Sequence, residues 1–211
     1  MCDFCNEFKS KQGARTRIVR SHAGVNIFPT LGCFVDGYLL AVPKQCCPSV
    51  ALLETEARNS LLVEAMTATK ELEPYYGGFI IAEHGSGSTS DLGASCMDHT
   101  HLHLIPMADG CPDVLDAYLR TGGDPSLSGS REVFEKIGSR PYVSLSIEPD
   151  RYMVWLNVEK FQRQFVRQVC AGLLGMEAQY NWRVHPFVDG MLRTKILSSR
   201  ALADASGRKA A

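Results

Sequence analysis

The segment His99-Thr100-His101-Leu102-His103-Leu104-Ile105-Pro106 sets a histidine at every second position, and no other feature constrains the chain as much. In an extended strand successive side chains point to opposite faces, so the three imidazoles share one face, about 7 Å apart. Leu102 and Leu104 then face the other way, into a core. Imidazoles in a half-buried strand are costly unless each ring nitrogen finds a partner. Three readings follow from the residues alone: a metal held by two or three rings, one ring acting as a nucleophile oriented by its neighbours, or a polar surface strand. The buried face implied by the leucines argues against the last.

Around this segment the chain reads as an α+β protein. Residues 25–29 and 37–42 form two short strands around the loop Thr30–Asp36. Ser49 has the chemistry of an N-cap, and Val50, Leu53, Ala57, Leu61, Ala65, Ala68 and Leu72 recur at helical spacing, predicting a helix over 49–73 ended by Pro74 and Gly77-Gly78. Residues 78–83 form a buried strand, His84–Ser90 a Gly/Ser-rich mobile loop, and the histidine strand begins near Met97. Beyond Pro106 the pattern predicts a helix at 112–121, a turn cluster at 121–126, and a β-hairpin pairing 142–147 with 151–157. Helices follow at 159–174 and 187–203, and the tail over 205–211 reads as disordered. The expected organisation is a core over 1–110, with a meandering antiparallel sheet of about five strands and one long packed helix. A hairpin and helical extension over 111–204 packs on it.

The balance of charges, formally −1, supplies no basic surface for a nucleic-acid backbone. No apolar run approaches the roughly 20 residues that span a bilayer, and Met1-Cys2-Asp3-Phe4-Cys5 lacks a signal peptide's basic and apolar regions, so a cytoplasmic protein without a membrane partner is expected. In that setting the eight cysteines favour thiol or metal chemistry over disulfides.

Taken together, His84-Gly85, the run Asp98-His99-Thr100-His101-Leu102-His103-Leu104-Ile105-Pro106, and the upstream Phe28-Pro29-Thr30-Leu31-Gly32 with Gly37-Tyr38-Leu39-Leu40-Ala41-Val42-Pro43-Lys44 resemble the signature of the histidine triad (HIT) superfamily of nucleotide hydrolases and transferases. The resemblance covers about residues 1–107. It implies a HIT-like fold and a covalent two-step reaction on a nucleotide or nucleotide conjugate, with a phosphoanhydride, phosphoester or phosphoramidate bond cleaved through a nucleotidyl-histidine. His101 maps to the family's nucleophile, and His103 to the residue that orients it. Where the family carries Gln followed by Ser or Thr on the phosphate, this chain has Ser95-Cys96, a shorter hydroxyl and a weaker thiol donor. Thr30 stands where an Asp or Asn commonly grips the ribose, and His84 joins these as a substrate-contact candidate beside Glu83. The resemblance also implies a two-fold homodimer.

In some branches of that superfamily four ligands hold a structural zinc, and they map here to Cys2, Cys5, Cys46 and His99, with Cys47 as the alternative to Cys46. Two other functions stay open: a metallohydrolase in which the triad binds a catalytic metal, although no Asp or Glu ligand lies near, and a nucleotide-binding module with weak activity. Phe4 and Phe8 can sandwich a base but are more ordinary as core. His22 and His185 read as surface residues. Gln164 and Arg167 share a helix face that can reach a phosphate, although a solvated face is expected of them.

Overall fold

The computed structural model describes residues 2–9, 17–87 and 99–210. Eight strands form one antiparallel sheet: β1 (Arg20–His22), β2 (Val25–Pro29), β3 (Leu39–Pro43), β4 (Phe79–Gly85), β5 (Leu102–Pro106), β6 (Leu127–Gly129), β7 (Tyr142–Glu148) and β8 (Arg151–Trp155). Their order across the sheet is β1-β2-β3-β5-β4-β7-β8-β6. The first half of the chain thus supplies five strands, the number expected for the whole sheet. The other three come from beyond residue 110: β7 pairs along the outer edge of β4 from Ile81↔Ser146 to Gly85↔Tyr142. An open edge leaves a row of unpaired N–H and C=O groups, and the β7–β8 hairpin satisfies them. The division anticipated at residue 110 therefore falls between strands of one sheet.

Strict alternation sorts the side chains. Leu39, Ala41, Ile81, Leu102, Leu104 and Val154 face a core closed by helix α2 (Thr55–Tyr76), whose Leu61, Leu62, Ala65, Ala68 and Leu72 are fully buried against it. Leu40, Val42, Ile80, Ala82, Ile105, Val143 and Leu145 face a second core. That core is covered by α1 (Asp3–Lys9), α3 (Cys111–Gly122) and α4 (Phe165–Leu173), through Phe4, Val114, Tyr118, Val166 and Cys170. A last helix, α5 (Val188–Ala210), lies beside α2 and β2. Among the described residues no helix is long and apolar enough to cross a membrane.

Several boundaries differ from expectation, each for a visible reason. Ser49 makes no side-chain cap; residues 50–52 form one tight turn, and α2 starts at Thr55. The Ala51 N–H, one that a Ser49 cap would have taken, donates instead to the Tyr142 hydroxyl at 3.2 Å, and the Val50 N–H to the Glu83 carboxylate at 2.9 Å. Pro74 is accommodated inside the last turn of α2, which closes on Gly77 at φ 79°. Pairing with β7 carries β4 on to Gly85, so His84 belongs to a strand and not to a mobile loop. The ladder of β5 begins only at Leu102, leaving His99 and His101 ahead of it. Gln164, with left-handed backbone at φ 61°, delays α4 to residue 165. The helix at the C-terminus runs to Ala210 through the tail expected to be disordered.

Candidate functional site

The first turn of α1 brings Cys2 and Cys5 together, the Cys5 N–H donating to Cys2 Sγ at 3.4 Å. Both thiols face one nitrogen of His99: Nδ1 lies 3.2 Å from Cys2 Sγ and 3.7 Å from Cys5 Sγ. Cys46 Sγ is 3.5 Å from Cys2 Sγ. The four ligand atoms lie within 4.8 Å of one another, the spacing of a set that can hold a metal ion. His99 is fully buried, and its Nε2 donates to the Pro43 carbonyl at 2.8 Å. A carbonyl can only accept, so this bond leaves the Nδ1 lone pair facing the thiols, the usual support of a metal-ligating histidine. Burial and the neighbouring thiols push Cys46 up to about 12 without a cation, so occupancy would expel protons. Cys47 stands apart from the cluster, buried with its thiol donating to the Ser49 carbonyl.

The residues that follow are fixed one by one. The Thr100 N–H donates to the Cys47 carbonyl at 2.6 Å, and its hydroxyl donates to Glu83 Oε1 at 2.5 Å. Glu83 also receives the Tyr142 hydroxyl, and burial nevertheless raises its carboxyl to about 7. It therefore anchors the loop while also lining the cleft described below, buried and not exposed. His101 Nδ1 donates to the His99 carbonyl at 3.0 Å, which makes Nε2 the ring's lone-pair nitrogen. Burial lowers its pKa to about 4, so the ring is neutral near pH 7.

His103 lies across from Leu40 and Ala82 in the sheet, its ring centroid 4.8 Å from that of His101. The even 7 Å row expected of a regular strand is thus replaced by one ring turned to the thiols and two rings packed edge to face. His103 Nδ1 shares a 2.7 Å hydrogen bond with the Tyr38 hydroxyl. The expected arrangement, His103 holding the His101 ring through a nitrogen, is filled instead by the His99 main chain. Tyr38 entered the sequence reading only as part of a strand segment; its place beside His103 follows from the β3–β5 register, which sets Leu40 opposite His103 and which no local pattern shows.

His101 and His103 line a cleft of about 320 Å³ that also takes in Phe4, Thr30, Gln164 and Trp182. Phe4 is core and wall at once, edge-on to both His99 and His101 at 5.7 and 5.5 Å. Thr30 sits at the cleft, its hydroxyl donating to the Leu31 carbonyl. His84 lines it too, its Nε2 buried without a partner among the described residues and its pKa lowered to about 4 by burial and nearby Arg163 and His101. Ser95 and Cys96 lie outside the described residues. His22 is exposed and bonded to Glu64, as a surface histidine should be.

The expected solvated face of α4 is not found at Arg167, which is only 3% exposed. Its Nε donates to the Tyr180 carbonyl at 2.8 Å and its Nη2 to the Gly32 carbonyl at 2.5 Å. The guanidinium also stacks over Phe34 and Tyr38 at about 5 Å. Gly32 permits this approach: at φ 68°, a Cβ there would meet Trp182 Cβ at 2.4 Å and Arg167 Nη2 at 2.6 Å. Trp182 carries no local pattern that would have revealed its place at the cleft. No protein-family model matches the chain, and no curated protein matches it.

Proposed function

We propose that the protein is a nucleotide hydrolase or nucleotidyltransferase of the HIT type, with His101 as the nucleophile. The observation that carries this reading is the His101 ring, pinned through Nδ1 to the His99 carbonyl while it lines the cleft. A neutral imidazole oriented in this way presents one lone pair, from Nε2, and needs no base to remove a proton first. Nε2 attacks the α-phosphorus, and the bond from that phosphorus to the leaving oxygen or nitrogen breaks, its electron pair departing with the leaving group. Water or another acceptor then attacks the same phosphorus. The N–P bond breaks back onto Nε2, and the acceptor's proton passes to solvent. The Nδ1–H bond to the His99 carbonyl stabilises the positive charge that the ring carries in the adduct, and that charge lets neutral imidazole leave in the second step.

Zinc is the ion that suits Cys2, Cys5, Cys46 and His99, a closed thiolate-rich set that leaves no position for substrate. Its role would be structural, tying α1 to the segment that carries His101. The metallohydrolase reading requires the three imidazoles to converge. Against it, His99 faces the thiols, His101 Nδ1 faces a carbonyl and His103 Nδ1 faces Tyr38.

The deciding experiment traps the intermediate. Brief incubation with a radiolabelled nucleoside phosphoanhydride or phosphoramidate, followed by acid-free quenching, is expected to leave one nucleotidyl group on His101 by mass spectrometry. Turnover with no adduct, or turnover that survives His101→Ala, would overturn the mechanism. For the metal, Cys5→Ser and Cys46→Ser are expected to lower both zinc content and melting temperature.

A further inference from the structure

The cleft carries polar capacity that the reaction at His101 does not use. Arg167 is buried, yet among the described residues no carboxylate lies within ion-pair distance of it; its hydrogen bonds run to two main-chain carbonyls. Among the described residues, Gln164 Oε1 and His84 Nε2 are both buried without a hydrogen-bond partner, and both residues line the same cleft. A buried cation without a counter-charge is costly, and so is each orphaned polar atom. A ligand made only of acceptors satisfies all three. Arginine always donates, the glutamine amide can present its NH2 end by a half-turn, and a neutral histidine can carry its proton on Nε2.

The position of this set relative to His101 says which group it meets. The His101 ring packs on His103, His103 bonds to the Tyr38 hydroxyl, and the Arg167 guanidinium stacks over the Tyr38 ring. Arg167 therefore lines the same cleft as the nucleophile, near enough for its charge to act on both His101 and His103.

We propose that Arg167, Gln164 and His84 form an anion subsite for a second phosphate group, adjoining the phosphate that His101 attacks. The proposal rests on the HIT reading for its word "second", but not for the anion site itself. It makes the substrate a nucleoside phosphoanhydride, whose leaving group brings the phosphate, or else makes inorganic phosphate the acceptor. In a two-step transfer the leaving group vacates the place the acceptor then enters, so one subsite serves either source. With a phosphate leaving group, the P–O bond breaks and the bridging oxygen departs with its electron pair as part of the released phosphate. With phosphate as acceptor, its oxygen attacks the adduct and a nucleoside diphosphate is formed.

The test is calorimetric titration of the full-length protein with inorganic pyrophosphate. Binding is expected to weaken at least ~fivefold in Arg167→Lys, which loses the rigid guanidinium fork, and in Gln164→Gly, which loses the amide. Gln164→Gly suits a backbone at φ 61°, so it decides the matter alone if Arg167→Lys fails to fold. A weaker effect in the folded variants, or no pyrophosphate binding to the wild type, overturns the subsite. The product formed with added inorganic phosphate separates the two sources: a nucleoside diphosphate assigns the subsite to the acceptor. A nucleoside monophosphate, with phosphate acting only as a competitor, assigns it to the leaving group. If pyrophosphate binds as described but no adduct forms on His101, the mechanism fails and the subsite stands; an adduct with no pyrophosphate effect has the opposite meaning.

Discussion

The two faces of one short segment teach different lessons. On one side, Leu102 and Leu104 meet Leu61, Ala65 and Leu72 of α2, and every atom there is satisfied by contact alone. On the other side His99 is equally buried while His101 and His103 are partly exposed to the cleft, and each ring is held by a named hydrogen bond to Pro43, His99 or Tyr38. Burial alone does not distinguish core from site here, since His99 is as enclosed as the two leucines. What distinguishes them is that the apolar face tolerates any shape that fills it, whereas the polar face works only with one set of partners.

The comparison breaks most visibly at His101. His101→Ala is expected to lose roughly 10³-fold or more in kcat/KM, since no neighbouring atom replaces the bond-forming nitrogen, while the far-UV spectrum stays that of the wild type. His103→Ala removes packing and the Tyr38 contact but not the nucleophile, so its loss should be smaller. Equal losses at the two positions, or an intact rate in His101→Ala, would place the chemistry elsewhere.

Leu104→Ala, one residue past His103 and fully buried, tests the opposite face. The cavity it leaves should cost about 2–5 kcal/mol in denaturant unfolding. Activity per folded molecule should stay near that of the wild type, because the hydrogen bonds of the histidine face are untouched. A variant that keeps its stability but loses its activity would show the two faces to be coupled.

How much of this was legible beforehand depends on the distance over which each feature is decided. The alternation at 99–104 is local, and it correctly assigned Leu102 and Leu104 to the core. The spacing of Leu61, Ala65, Ala68 and Leu72 marked α2 and its buried face for the same reason. The four ligand candidates Cys2, Cys5, Cys46 and His99 do meet, although they lie up to 97 residues apart. The three added strands were not legible as part of this sheet, because nothing in residues 142–148 announces that β4 is their partner. Arg167 was misjudged for a related reason. Helical periodicity shows that it shares a face with Gln164, but not that Gly32, Tyr180 and two aromatic rings will surround it. Glu83 is a third case: its neighbours Thr100, Tyr142 and Val50 come from three separate segments.

Glu83 also links the two faces through pH. Its carboxyl is raised by burial to about 7, above its ordinary 4.5, so between these values the folded protein holds a proton that the unfolded chain releases. The stability it contributes is present at low pH and is lost as pH rises through about 7. The effect is on the order of 2–3 kcal/mol at most between pH 5 and 8. Glu83→Gln keeps the proton-bearing shape and should flatten that slope in urea unfolding followed across pH. A slope that steepens instead would mean that the three donors, not burial, govern this carboxyl.

The smallest expected effect sharpens the line between the two adjacent thiols, Cys46 and Cys47, that lie between Pro43 and Pro48. Cys46 is exposed and belongs to the ligand cluster, while its neighbour Cys47 is buried and donates to the Ser49 carbonyl. Cys47→Ser preserves a donor of nearly the same size at that place, and should shift unfolding by about 1 kcal/mol or less with metal content unchanged. The backbone supports this separation, because the Cys47 carbonyl accepts the Thr100 N–H and so holds residue 47 against the histidine segment with its side chain committed to the α2 face. For Cys47 to serve as the ligand in place of Cys46, that hydrogen bond and the packing beneath it would both have to be given up. Metal analysis of the two serine variants side by side settles it: loss of the ion from Cys47→Ser and not from Cys46→Ser would reverse the ligand assignment while leaving the histidine face as described.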